Sequence, residues 1–286
     1  MKTNIRSLFV LVLLPVAGCF SGSSMSSSSV TKPLEDSIVF QPMKYPKGDW
    51  KPNDLKFEDA WFEASDGVKL HGWFCDNTPD YIHRTGNETR PLVVLFCHGN
   101  GGNVTGCYWN LRLWSEKFGA SVLAFDYRGF GKSEGVPSED GILKDARAAR
   151  RWLAKRTGIK EQDVVLVGHS LGGAVAVELA AYGGARGLVL ESTFTSVPEV
   201  AAAKIPSAAR IMTNHFDSIS KISLYHGPLL QCHGDADRVV PYALGEKLFA
   251  AANQPKEFIR IPGGGHNGPP SAEYYAALRH FVDNLP

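Results

Sequence analysis

Residues 163–182 read DVVLVGHSLGGAVAVELAAY, and this stretch decides the fold. It begins with an apolar run typical of a buried strand and ends with an Ala- and Val-rich run typical of a helix. Ser170 lies between the two, inside the pattern Gly-x-Ser-x-Gly formed by Gly168 to Gly172. A strand that turns sharply into a helix exposes such a serine, and the glycines relieve crowding around it. We therefore expect Ser170 to be a nucleophile.

The same five-residue pattern occurs a second time, as Gly131-Lys132-Ser133-Glu134-Gly135. The pattern alone is weak support for a nucleophile in a chain with 29 glycines. Ser133 lies in a Gly-rich loop that continues to Val136-Pro137, and no helical pattern starts beside it. The context therefore favours Ser170 over Ser133 as the nucleophile. The alternative for Ser170 itself is a purely structural role in the turn.

The rest of the chain alternates strand-like and helical patterns. Ser65-Asp66-Gly67 separates two apolar runs, residues 57–64 and 68–75, which is a hairpin signal. Later come short apolar runs typical of strands buried on both faces, at residues 92–97, 122–126, 164–167, 187–191, 229–232 and 258–261. Helical spacing occurs at residues 139–156, 174–182, 243–252 and 272–284. These patterns predict an α/β fold with a mostly parallel, eight-stranded sheet, an antiparallel edge and helices on both faces.

Several motifs together closely resemble the alpha/beta-hydrolase superfamily over residues 55–286. They are His98-Gly99, DYRGFGKS at 126–133, Gly168 to Gly172, ESTFTS at 191–196, HGDADRVVP at 233–241, and His266. ESTFTS and Phe216-Asp217-Ser218 are similar to the small-cap, membrane-associated branch that includes protein depalmitoylases, but they define no substrate. Larger relatives insert a lid where this chain has only residues 197–227, which implies a small cap and an accessible site.

A serine nucleophile needs a base and a carboxylate that orients the base, and the superfamily carries them in the order serine, acid, histidine. His266 is our candidate base because it lies in the flexible loop PGGGHN, residues 262–267, after a predicted strand. The resemblance points to Asp237 as the acid, because it occupies the aspartate position of the family's His-Gly-x-x-Asp-x-x-Val-Pro pattern. Asp235 and Glu191 are the alternative acids. If they are not catalytic, we expect them to form turns or local hydrogen bonds.

Negative charge on the tetrahedral intermediate requires two backbone N–H donors. We expect one from Leu171, at the start of the helix, and the other from Asn100, with Gly101 as the alternative. The predicted activity is hydrolysis of short acyl esters or thioesters through an acyl-enzyme. A peptidase or amidase of the same fold and a non-catalytic envelope lipoprotein are the alternatives. The sequence leaves the oligomeric state open.

The N-terminus is typical of an export signal. Lys2 and Arg6 flank a short apolar run, Leu8 to Leu14, followed by Val16-Ala17-Gly18-Cys19. Small residues before a cysteine resemble the bacterial lipoprotein signal. We expect a signal peptide over residues 1–18, lipidation at Cys19, a Ser-rich tether and irregular lead-in over 19–53, and the hydrolase domain over 54–286. The protein would then be membrane-anchored in the cell envelope; an ordinary cleaved signal and an uncleaved anchor are the alternatives.

Composition excludes other classes. A formal charge of +1 without a run of Lys or Arg offers nothing to attract nucleic acid. The spacing of Cys75, Cys97, Cys107 and Cys232 suggests no metal site, and we expect no cofactor. Export would permit disulfides among these cysteines. Cys97 and Cys232 end apolar runs, however, which favours buried free thiols.

Overall fold

The computed structural model describes residues 28–77, 91–268 and 271–286. The predicted signal peptide and Cys19 lie outside this part of the chain. Within it, eight strands form one sheet: β2 (Glu58–Glu63), β3 (Lys69–Cys75), β4 (Val93–Cys97), β6 (Ser121–Phe125), β7 (Val165–His169), β8 (Gly187–Glu191), β9 (Leu229–Gly234) and β10 (Lys256–Ile261). Their order in the sheet is β10-β9-β8-β7-β4-β6-β3-β2, and the short strands β1 (Gln41–Pro42) and β5 (Gly101–Gly102) form a separate pair.

The sheet is parallel except at one edge, where β3 runs antiparallel to both β2 and β6. Its helices are α1 (Ser28–Val39), α2 (Tyr108–Arg112), α3 (Glu139–Thr157), α4 (Leu171–Gly183), α5 (Val197–Ala202), α6 (Tyr242–Ala251) and α7 (Ala272–Asp283). A π-helical turn, Leu113–Lys117, continues α2. The predicted eight-stranded sheet with an antiparallel edge is confirmed.

Two apolar layers cover the two faces of the sheet. Alternate residues of a strand point to opposite faces, so Val93 and Leu95 of β4 pack into one layer and Val94 into the other. The first layer contains residues of α3, α4 and α6, such as Leu153 and Leu248, and the second contains residues of α2 and α7. Both faces are therefore covered by helices, as expected.

The helix α3 illustrates why the sequence folds as it does. Ser138 caps it by accepting a hydrogen bond from the Gly141 N–H, and Gly158 ends it in a left-handed conformation with a φ of 73°. Between these ends its buried residues include Ile142, Ala149 and Leu153, which recur at helical spacing. This spacing is the signal that predicted the helix from the sequence.

The predicted irregular lead-in over residues 19–53 is wrong for residues 28–42, whereas residues 43–53 contain no helix or strand, as predicted. Helix α1 occupies Ser28–Val39, and the two-residue strand β1 (Gln41–Pro42) pairs with β5 (Gly101–Gly102). Val39 and Phe40 are buried in the first apolar layer. This segment therefore packs as part of the folded domain.

The segment between β8 and β9 forms the small cap that the sequence predicted. It contains the single-turn elements Ala208–Ile211 and Ile222–Leu224 in addition to the short helix α5. Phe216 of the cap is buried in the same apolar layer as Phe40. The cap thus lies over the face of the sheet that carries α4, whose first residue follows Ser170.

Candidate active site

Ser170 lies at the sharp turn between β7 and α4. Its φ of 54° and ψ of −118° fall in a region that residues with side chains rarely adopt, and such strain collects at functional sites. A Cβ added to Gly168 would overlap the Gly172 carbonyl, and one added to Gly172 would overlap the Cys97 carbonyl. Both glycines are therefore required by close backbone contacts, and the strand-turn-helix setting predicted for Ser170 is present.

The structure brings Ser170, His266 and Asp237 together, although they are far apart in the sequence. His266 Nε2 lies 3.0 Å from Ser170 Oγ, and His266 Nδ1 lies 2.7 Å from Asp237 Oδ2. Because a carboxylate accepts hydrogen bonds, Nδ1 carries the proton and Nε2 is free to accept one from the serine hydroxyl. The arrangement can remove the hydroxyl proton as the serine attacks.

Asp237 is held as an anion. Its Oδ1 accepts hydrogen bonds from the backbone N–H groups of Val239 and Val240, at 2.8 and 3.0 Å. Burial alone would raise the pKa of Asp237, but hydrogen bonds from His233, His266 and the backbone together hold that pKa well below its usual range. An ionised Asp237 can stabilise an imidazolium at His266.

The two alternative acids have other partners. Asp235 accepts hydrogen bonds from Arg260 Nε at 2.9 Å and from the Gly263 N–H at 2.6 Å. Glu191 is hydrogen-bonded to the Tyr274 hydroxyl. Asp235 therefore secures the start of the loop that carries His266, while Asp237 is the carboxylate that contacts the imidazole.

Ser133, the second Gly-x-Ser-x-Gly serine, has a structural position. Its side chain is buried; its Oγ donates to the Asp126 carbonyl at 2.7 Å and accepts from the His71 N–H at 2.9 Å. These bonds join the loop to β3. The hydroxyl thus links two parts of the backbone, and the preference for Ser170 agrees with this geometry.

The two residues expected to donate to the oxyanion lie in segments adjacent to Ser170. Leu171 is the first residue of α4, and the first N–H groups of a helix have no acceptor within the helix. The loop after β4 lies beside the serine, because a Cβ on Gly99 would be 3.6 Å from the Ser170 Cβ. Asn100, the next residue, has its carbonyl bonded to the Gln41 N–H at 2.8 Å. Gly101, the alternative donor, pairs with Gln41 in the β1–β5 ladder.

Two histidines that the sequence analysis did not assign to the site support the triad geometry. His169 Nε2 donates to the His266 carbonyl at 3.1 Å, and burial, together with the nearby His266, lowers the pKa of His169 to about 4. His233 Nε2 lies 3.1 Å from the Val240 carbonyl and 3.2 Å from Asp237 Oδ2. His169 lies next to Ser170 in its Gly-x-Ser-x-Gly motif, and His233 begins the motif that contains Asp237. This closeness in sequence to the triad residues was the signal that could have marked both histidines.

The cysteines of the described chain are free and buried. The expectation of buried thiols at Cys97 and Cys232 is confirmed, and Cys75 and Cys107 share this state. Burial raises the pKa of Cys75 and of Cys97 to about 12, so these thiols remain protonated and are poor nucleophiles. Across residues 28–77, 91–268 and 271–286, no cluster of three or more His, Cys, Asp or Glu side chains could hold a metal ion.

Comparison with known proteins agrees with the fold. Residues 94–229 match the alpha/beta hydrolase family. The chain is 40% identical to a protein of Mycobacterium tuberculosis over 74% of its own length and 73% of that protein. It is 36% identical to YfhR of Escherichia coli K12, with 75% of each chain covered. It is also 32% identical to the alpha/beta hydrolase domain-containing protein WAV2 of Arabidopsis thaliana, with 86% of each covered.

Solved structures share the fold. The esterase Pf2001 of Pyrococcus furiosus superposes with a TM-score of 0.68 at 20% identity, covering 86% of this chain and 98% of the esterase. Acetyl xylan esterase 1 of Thermoanaerobacterium gives a TM-score of 0.63 at 19% identity, covering 82% of this chain and 86% of that one. The family match, together with the 32% identity to WAV2 over 86% of both chains, shows that the chain belongs to the alpha/beta hydrolase family.

Proposed function

We propose that this protein is a serine hydrolase that cleaves carboxylic ester or thioester bonds. The observation that carries the proposal is the continuous contact from Ser170 Oγ through His266 to Asp237, at 3.0 and 2.7 Å, on a strained turn. The esterase activity named for the solved relatives belongs to those proteins. For this chain, ester hydrolysis rests on its own triad.

The mechanism follows from the atoms that meet at Ser170. His266 Nε2 takes the hydroxyl proton as Oγ attacks the acyl carbon, and Asp237 stabilises the resulting imidazolium. The N–H groups of Leu171 and Asn100 donate to the oxyanion. The imidazolium gives its proton to the leaving group, which departs and leaves the acyl group on Ser170. His266 then takes a proton from a water molecule as the water attacks the acyl carbon, and it returns the proton to Ser170 Oγ as the acid is released.

The small cap favours short acyl groups. Residues 197–227 contain single-turn elements and the six-residue helix α5, in place of a long lid. Ser170 is only 6% exposed, so the nucleophile itself is less accessible than the small cap led us to expect. These features favour short acyl esters or thioesters over buried long-chain triglyceride. Palmitoyl transfer to water, as in the depalmitoylase branch, is the long-chain case to be tested.

A graded substrate panel tests the activity. Purified wild-type protein and Ser170→Ala are compared on nitrophenyl esters of rising chain length, on acyl thioesters and on aminoacyl amides. We expect turnover of at least one ester or thioester, with kcat lower by about 10³-fold or more in Ser170→Ala. Turnover confined to the amides would indicate a peptidase or amidase. Equal rates for the two proteins on every substrate would refute the proposal.

We also propose that the chain is held at a bacterial membrane through Cys19, on the basis of Val16-Ala17-Gly18-Cys19. In the described residues, no helix has the length and apolar character needed to cross a bilayer. The test is fractionation of cells that express wild-type protein or Cys19→Ala. Lipidation predicts that wild-type protein is extracted with membranes and carries added acyl mass, and that Cys19→Ala does neither. Identical fractionation and mass would contradict it.

A further inference from the structure

The segment that begins in the last turns of α1 connects the loop after β4 with the cap. We call residues 35–47 the N-terminal strap. One part of the strap contacts the loop after β4, which contains Asn100, and another part contacts the cap. These two regions follow β4 and β8, which lie on either side of β7 in the sheet. The strap bridges them through a set of hydrogen bonds.

Asn100 is bonded to the strap through both its backbone and its side chain. The Asn100 carbonyl accepts from the Gln41 N–H at 2.8 Å, and Asn100 Nδ2 donates to the Val39 carbonyl at 3.1 Å. Two residues further along the strap, the Met43 N–H donates to the Gly102 carbonyl at 2.8 Å. Asn100 is therefore bonded to strap residues on either side of Phe40.

The strap is itself anchored to the cap. Glu35 is only 7% exposed, and its carboxylate accepts from the N–H groups of Thr213 and Asn214 at 2.8 and 2.6 Å. Burial opposes ionisation of Glu35, but these hydrogen bonds outweigh it and lower the pKa of its carboxyl. Phe40 packs edge-on against Phe216, with ring centroids 6.2 Å apart. The anchoring fixes the position from which the strap reaches Asn100.

The loop needs such support because its own sequence gives little. Asn100 is followed by Gly101 and Gly102, and Gly102 adopts a φ of +86°. Glycines give a loop wide conformational freedom, which is lost only if other contacts restrict it. Within the described part of the chain, the hydrogen bonds of Asn100 use its carbonyl and its side-chain amide, and its backbone N–H has no acceptor.

We infer that the N-terminal strap is a positioning element of the oxyanion hole: Val39 and Gln41 hold the Asn100 peptide so that its N–H is preorganised for the oxyanion. The inference rests on the proposed function, because an oxyanion forms only if Ser170 attacks an acyl carbon. Preorganised donors stabilise the transition state more than the ground state. Loosening the strap should therefore lower kcat and leave KM nearly unchanged.

A matched pair of variants at Gln41 isolates the backbone hydrogen bond in the full-length protein. Gln41→Pro removes the N–H that donates to the Asn100 carbonyl, whereas Gln41→Ala keeps this N–H. Both variants remove the Gln41 side chain. Complete loss of an oxyanion donor lowers kcat by about 10²–10³-fold. In Gln41→Pro the Asn100 N–H would be misplaced rather than lost, so we expect a smaller effect. The kcat of Gln41→Pro should be at least about tenfold below that of Gln41→Ala, and the KM values of the two variants should agree within about twofold.

A second variant and a transition-state analogue make the test independent of folding defects. Asn100→Ala removes the Nδ2 donor to the Val39 carbonyl without adding a charge beside the oxyanion, and it keeps the backbone N–H. Its kcat should also fall, and Ki for an alkylboronic acid, which forms a tetrahedral adduct on serine, should rise in parallel with the loss of kcat/KM in both variants. Melting temperatures establish that each variant is folded; if Gln41→Pro is not folded, the result for Asn100→Ala decides.

The outcomes separate this inference from the proposed function. The strap inference is wrong, and the hydrolase proposal stands, if wild-type protein shows Ser170-dependent turnover but the variants show no effect. That result is a folded Gln41→Pro that matches Gln41→Ala in kcat and boronate Ki, together with an Asn100→Ala that matches the wild type. A fall in kcat accompanied by an equal rise in KM, with an unchanged boronate Ki, would also overturn it. If wild-type protein shows no Ser170-dependent turnover on any substrate, both proposals fail.

Discussion

Replacing Asp237 by Asn should inactivate the triad, because it changes the tautomer of His266. Asp237 Oδ1 accepts from two backbone N–H groups, at 2.8 and 3.0 Å, so the amide oxygen of an Asn must occupy that place. Its NH₂ then takes the position of Oδ2, 2.7 Å from His266 Nδ1. An amide NH₂ donates, so Nδ1 must lose its proton and Nε2 must carry it. Nε2 can then no longer accept the proton of Ser170.

A wrong tautomer of this kind lowers kcat by about 10⁴-fold, which corresponds to about 5 kcal/mol of transition-state stabilisation. The assay is the steady-state rate on the best ester of the panel, with the melting temperature as a check on folding. Asp235→Asn is the matched control, because Asp235 bonds to Arg260 and Gly263 rather than to the imidazole. It should lose less than about tenfold, since no tautomer changes. A folded Asp237→Asn protein within tenfold of wild type would refute the assignment of Asp237 as the acid.

Three further predictions concern groups around the site. Ser133→Ala should leave the rate of ester hydrolysis unchanged but reduce the free energy of unfolding by about 1–3 kcal/mol, because the buried His71 N–H loses its acceptor; a loss of activity without a loss of stability would contradict this. Glu35→Gln should lower stability at pH 7 by about 1–3 kcal/mol. Since the pKa of Glu35 is lowered by folding, its contribution is fully present above the unfolded pKa of about 4.3 and is lost as the pH falls from there through the lower folded pKa. Denaturant titrations of both proteins should therefore show a smaller difference in stability at pH 3 than at pH 7, and a constant difference would argue against the assignment. The pKa of His169 falls to about 4 in the folded protein, so wild type should lose stability between about pH 6.5 and 4, as the unfolded chain takes up a proton first. His169→Gln, which keeps a donor for the His266 carbonyl, should show a smaller loss over that interval, and melting temperatures with an equal pH dependence would count against it.

The elements that the sequence predicted are those whose signal is local. Apolar runs bounded by turn residues marked the sheet strands, and the recurrence of Ile142, Ala149 and Leu153 marked α3. The positions of Ser170 and His266 were also predictable, because each lies in a Gly-rich turn directly after a strand-like run. Their convergence follows from parallel strands, whose carboxyl ends meet at one edge of the sheet.

The elements that were missed depend on contacts distant in sequence. Helix α1 is joined to the cap by hydrogen bonds between Glu35 and Asn214, which are 179 residues apart. Short helices are marginal without such tertiary contacts, so local pattern gives little warning of them. The two-residue strand β1 likewise exists because Gln41 pairs with Gly101. The supporting role of His233 needed the fold, because its Nε2 reaches Asp237 only once β9 has turned into the following loop.

The most direct test of a nucleophilic Ser170 is to locate the site of covalent labelling. Wild-type protein is treated with a fluorophosphonate, digested and analysed by mass spectrometry, with Ser133 as the internal comparison because it has the same five-residue motif. We expect the adduct on the peptide that contains Ser170, no adduct on the peptide that contains Ser133, and no labelling of Ser170→Ala. Labelling at Ser133, or equal labelling of wild type and Ser170→Ala, would contradict a nucleophilic Ser170.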